Sequence, residues 1–189
     1  MHIHGVVGVV LLLSSALALS ETLERSSAVR VRLRSPTAIS VGGFVVLLYV
    51  GFNHVAHDRA AGELVDAAHW IIGLSLVVAG LVVGLGRLRH PTHSLHEAAG
   101  PGANIVVGAL FLVHGGTSPG ELVLHVCISA ALVLSALAQL AVVLTSEEAR
   151  SLRVFSSLLV AVGGRLLNMS ATTQTVPVPH QLERHFEPR

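Results

Sequence analysis

Six apolar runs, each followed by a short polar break, constrain this chain more than any other feature. A helix rises 1.5 Å per residue, so crossing a hydrocarbon core of about 30 Å takes roughly 20 mainly apolar residues. Runs at 3–20, 37–52, 67–85, 103–113, 122–144 and 152–167 meet or approach that length. The fourth is short, and we expect it to gain a turn from Gly102 and to extend through His114. Hydrophobic residues make up 52% of the 189 residues and charged residues only 12%, with a mean hydropathy of +0.71. A soluble domain carries about 25% charged residues. The composition therefore excludes a soluble enzyme, a nucleic-acid binder and a disulfide-stapled secreted module. The single cysteine, Cys127, sits within an apolar run and has no partner for an intrachain disulfide.

The expected fold is all-α: a polytopic transmembrane helical bundle of about six spans over residues 1–169, with an irregular polar tail at 170–189. The tail holds Pro177, Pro179 and Pro188 and shows no apolar period. The first run is nearly the length of a signal-peptide core, but no arginine or lysine precedes it, which favours a retained helix.

Arginine placement sets the direction. All 12 basic residues are arginine, a pattern we read as the codon bias of a GC-rich genome. The breaks after the first, third and fifth runs hold Arg25, Arg30, Arg32, Arg34, Arg87, Arg89, Arg150 and Arg153, whereas those after the second and fourth hold only Arg59. By the positive-inside rule the first set faces the cytoplasm and the N-terminus faces outward. The expected location is a prokaryotic cytoplasmic membrane. Arg165 falls inside the last run, where it is expected to snorkel, and this makes the sixth span the weakest of the set.

That orientation sorts the 12 histidines. His2, His4, His54, His57, His69, His114 and His125 all fall within one or two helical turns of the outer face. Carboxylates accompany them: Asp66 and His69 are three apart, Glu121 and His125 four apart, so each pair shares a helix face. His54 and His57 form another pair at helical spacing. Such pairs suit a metal's ligand shell, or a carboxylate that orients a ligating imidazole. The candidate cofactor-binding set is His54, His69, His114 and His125. His57, Asp66 and Glu121 are further candidate metal ligands. His2, His4, His180 and His185 are expected to be solvated. His90, His93 and His96, around Pro91, read as a solvated inner loop.

Other polar residues in the runs are sparse. Asn53, Asn104, Gln139, Ser75, Ser129 and Ser135 are expected to make interhelical hydrogen bonds. Gly80 and Gly84 form a small-residue stripe suited to close packing, as Ala130, Ser135 and Ala138 do more loosely.

Three elements together resemble the eukaryotic transmembrane-protein-45-type family of multi-pass membrane proteins. They are the His2-Ile3-His4-Gly5 start, the span opened by His69 and carrying Gly80, and the proline-containing turn from His114 through Pro119 to His125. The resemblance covers about residues 1–145 and implies architecture more than activity. The family typically has doubled histidines around the turn and a further span, which this chain lacks.

The leading functional expectation is a histidine site near the outer face that binds a transition metal (zinc or copper) or haem b. A membrane metallohydrolase would use the same histidines, with Asp66 or Glu121 as base, though no His-Glu-x-x-His run is present. Proton conduction or transport would use imidazoles that titrate near neutral pH. A structural or assembly subunit would need no chemistry of its own. The expected partners are the lipid bilayer and a homo-oligomer or a membrane complex; nucleic acid is not among them.

Overall fold

The computed structural model describes residues 3–24, 29–56, 63–90, 95–113, 119–145 and 150–173, without the side chains of 29–30, 53–56, 63–66 and 170–173. Every regular element among them is helical. The elements are α1 (Ile3–Glu24), the single turn α2 (Val29–Arg32), α3 (Arg34–Ala56), α4 (Glu63–Arg89), α5 (Ala99–Val113), α6 (Pro119–Thr145) and α7 (Arg150–Thr173). Six of the helices are long and apolar enough to cross a membrane. The chain is an all-helical integral membrane protein.

Several boundaries differ from the sequence expectation, for local reasons. The short fourth run is extended at its inner end, where a 3₁₀ turn at Leu95–Ala98 leads into α5 and gives an apolar segment of 19 residues. The charged break after the first run is mostly helical, because α1 runs on to Glu24 and α3 begins at Arg34 with Pro36 in its first turn, where proline is tolerated. The last helix reaches Thr173, four residues into the segment expected to be irregular. Residues 174–189, including His180 and His185, lie outside the described residues.

The helices close into a ring. α1 packs on α3, α3 on α4, α4 on α5, α5 on α6, α6 on α7, and α7 returns to α1. Chain order thus runs once round the ring, and each neighbour is antiparallel to the last. The inward face of each helix supplies the core. Val7 and Leu11, Val46 and Val50, Ile72 and Leu76, Val107 and Phe111, Ile128 and Leu132, and Val160 and Leu167 are buried together. Large apolar residues such as Phe44, Leu74, Leu81, Leu137 and Leu158 point outward, as lipid-facing surfaces require.

Closure depends on two glycines. A Cβ added at Gly8 would lie 2.7 Å from the Gly164 carbonyl oxygen, and one added at Gly164 would lie 2.8 Å from the Gly8 carbonyl oxygen. The α1 and α7 backbones therefore touch, which only glycine permits on both sides. The expected stripe on α4 is half realised. A Cβ at Gly80 would collide with Ser40 and with the Pro36 carbonyl on α3, whereas one at Gly84 would make ordinary contact with Pro36 at 3.8 Å.

Polar side chains fasten the ring at several places among the described residues. Ser135 and Ser156 hydroxyls lie 2.8 Å apart across α6 and α7, and Gln139 Nε2 donates to Ser156 Oγ at 2.6 Å. Ser75 does not bridge helices as expected. Its hydroxyl donates to the Ile72 carbonyl of its own helix at 2.9 Å. Another fastening is on Arg87, at the end of the bundle where α1 finishes and α3 begins. Its Nε and Nη2 donate to the two carboxylate oxygens of Glu97 at 2.6 and 2.8 Å. Its Nη1 donates to Glu21 Oε2 at 3.1 Å and to the Arg32 carbonyl. Glu21 also accepts from the amide and hydroxyl of Ser35, at 2.6 and 2.7 Å. One guanidinium thus ties α1, α2, α4 and the 3₁₀ turn together, with α3 joined through Ser35. His96, expected in a solvated loop, packs instead against Gly86 and lies 3.4 Å from Glu97 Oε1.

Candidate functional site

The sequence expectation is an imidazole cluster near the outer face, and the ring geometry decides which histidines can share one. A side chain reaches the axis only from the inward stripe of its helix. On α4 that stripe runs His69, Ile72, Leu76, Ala79 and Val83, all buried. On α6 it runs His125, Ile128, Leu132, Ser135 and Ala136, again buried. On α1 it runs His4, Val7, Leu11 and Ser15, spaced at three or four residues, as one helix face requires.

Three histidines therefore head three inward stripes at the end of the ring opposite Arg87, the end expected to face outward. The His4 ring centroid lies 5.6 Å from that of His69 and 5.4 Å from that of His125. Phe111 of α5 closes the group, 5.8 Å from His4 and 5.6 Å from His125. The imidazoles are sealed: His4 is 9% exposed, His69 and His125 3% each. They come from α1, α4 and α6, which are alternate members of the ring and not packed neighbours. Only at the axis can such helices bring side chains together.

His125 has a defined orientation. Its Nδ1 lies 2.7 Å from the carbonyl oxygen of Glu121, one turn earlier on the same helix. A carbonyl only accepts, so a hydrogen bond there places a proton on Nδ1, the arrangement by which ligating histidines are commonly oriented. The partner is the backbone carbonyl of Glu121, whereas the spacing points to its carboxylate. Glu121 itself is half-buried. Among the described residues, no group of three or more His, Cys, Asp or Glu side chains is already arranged to hold a metal ion.

His4 corrects the sequence expectation. It is expected to be solvated at the start of the first span, but it lies on the inward face of α1 and is buried. The signal that finds it is the period, since His4, Val7, Leu11 and Ser15 repeat the stripe spacing seen after His69 and His125. Of the candidate set, His69 and His125 each pack against His4. The side chains of His54 and Asp66, and residues His57 and His114, lie outside what the structure describes.

No family model, curated protein or solved structure matches the chain. Functional inference therefore rests on the site's own chemistry.

Proposed function

We propose that this integral membrane protein binds one transition-metal ion, zinc or copper, among the imidazoles of His4, His69 and His125 at the outer end of its ring. The observation that carries the reading is the meeting of three buried imidazoles from alternate helices on one axis. Burying polar rings in a membrane protein is costly unless they have partners, and clusters of this kind mark functional sites. Neutral imidazole suits zinc and copper. Zinc–nitrogen bonds are about 2.0–2.1 Å, so the rings of two histidines on one tetrahedral ion have centroids roughly 5 Å apart. The centroid distances of 5.4 and 5.6 Å from His4 are close to that value. Closing on an ion thus asks the rings to turn more than the helices to move. The Glu121 carbonyl supports His125 in the way that ligating histidines are commonly oriented, by a hydrogen bond to the non-ligating nitrogen. His54, His57, Asp66 and His114 remain candidates for a fourth ligand by their place in the sequence.

Packing favours a single ion over haem. Axial ligation needs two histidines on opposite faces of a porphyrin-wide slot. Here Phe111 fills the space beside His4 and His125. The arginine asymmetry supports an orientation that puts the ion near the outer surface of the membrane.

The test is the metal content of the purified full chain by mass spectrometry, after exposure to zinc or copper and removal of loosely held ions. We expect about one ion per chain, falling at least tenfold in His69→Ala and in His125→Ala. Equal metal in wild type and both variants would refute the reading.

A further inference from the structure

A second feature lies on the same axis, nearer the inner face, and involves none of the histidines. It is a cavity of about 70 Å³ to which all six spanning helices contribute. Its polar lining is Ser14, Ser15, Asn104, Gln139 and Ser157, and no charged side chain lines it. Leu11, Leu76 and Val160 supply apolar walls.

The polar groups are not equivalent. Ser15 and Ser157 donate to carbonyls of their own helices, Leu12 and Arg153, at 2.9 and 3.0 Å. Gln139 donates to Ser156, and its Oε1 is directed toward Gly100 on the cavity wall, 3.8 Å from where a Cβ would stand there. Ser14 differs. It is 6% exposed, and its hydroxyl has no hydrogen-bond partner among the described residues. A serine in a helix easily satisfies its hydroxyl on the preceding turn, as Ser15 does beside it. A buried hydroxyl left over at a cavity wall implies an occupant that completes it.

We infer that this cavity is a binding pocket for a small uncharged amphiphile, a molecule with one hydroxyl or carbonyl group on a short apolar body. The lack of lining charge argues against an ion. The orphaned Ser14 hydroxyl and the Gln139 carbonyl argue against a pure hydrocarbon. The volume exceeds the roughly 10–15 Å³ that one water needs, and the leucine and valine walls match an apolar body better than they match further water. Val7, Ile72, Val107, Ile128 and Leu132, all buried, separate the cavity from the imidazoles above. From Phe111 to Asn104 along α5 is seven residues, about 10 Å of helix. The pocket is therefore distinct from the proposed metal site, and an uncharged amphiphile can arrive from the bilayer.

Photolabelling of the full chain in lipid nanodiscs tests this with two probes, a short aliphatic alcohol bearing a diazirine and the matching diazirine alkane. Sites of attachment are read by peptide mass spectrometry. We expect the alcohol to label residues 11–18 and 100–104, with a several-fold loss in Ser14→Ala, and the alkane to label only lipid-facing side chains. Ala103→Leu, which fills the cavity, should abolish pocket labelling; if that variant does not fold, the Ser14→Ala comparison still decides. Alcohol label confined to lipid-facing positions, as water-only occupancy would give, overturns the inference. So does equal labelling of the pocket by both probes, or labelling unchanged in Ser14→Ala.

Discussion

Arg87 shows how much one side chain can hold together. Its guanidinium is 16% exposed and meets Glu97 with two parallel hydrogen bonds, with Glu21 as a second acidic partner that is 12% exposed. The planar fork suits this arrangement, and a lysine ammonium does not reproduce it. Removing the guanidinium leaves two partly buried carboxylates unmatched. We expect Arg87→Ala to destabilise the bundle by about 1–3 kcal/mol, and Arg87→Lys by less. Thermal unfolding of the detergent-solubilised protein measures both, and equal stability of Arg87→Ala and wild type would show the network to be incidental. In the sequence, Arg87 counts only as one more inner arginine. Its partners are 10 and 66 residues away. No local pattern links Arg87 to Glu21, because the link exists only once α1 and α4 share the inner end of a ring. His4 was legible, by contrast. Its period with Val7 and Leu11 is printed in the chain, and nearness to the chain start obscured it.

At the scale of elements, the decisive contact is α1 against α7, which converts a row of six helices into a ring. Gly8 and Gly164 approach backbone to backbone, so a side chain on either has no room to relax. Gly164→Val should overpack this seam at a cost of about 1–3 kcal/mol and separate the two helices. Gly84→Ala serves as the control, since its added methyl meets only Pro36 at 3.8 Å. A disulfide-trapping or spin-label distance between α1 and α7 would report the separation, and an unchanged distance in Gly164→Val would contradict it. The number and type of the helices were readable from the apolar runs, because length and hydropathy alone fix a spanning helix. Which helices touch was not readable. Glycine stripes occur on several helices, and only the full ring selects Gly8 with Gly164 and leaves Gly84 in loose contact.

The whole molecule has two chemically different ends. One carries the Arg87 network and the other the imidazole cluster, and the arginine asymmetry of the sequence predicts that the first faces the cytoplasm. Single cysteines introduced in a Cys127→Ala background test the assignment. One at Gly120, where an added Cβ meets nothing within 4 Å, should react with a membrane-impermeant thiol reagent from outside the cell. Cysteines at exposed Arg89 or Arg150 should react only after the inner face is opened. The reverse pattern would invert the molecule and turn the imidazoles toward the cytoplasm. A ring of six helices admits to its axis only side chains on inward stripes, and among the described histidines those are His4, His69 and His125. X-ray absorption at the zinc edge of the zinc-loaded full chain tests their joint role most directly. The account predicts a nitrogen shell near 2.0–2.1 Å with the multiple scattering of about three imidazoles, reduced by one in His4→Ala. A spectrum without imidazole scattering, or one that His4→Ala leaves unchanged, would contradict it.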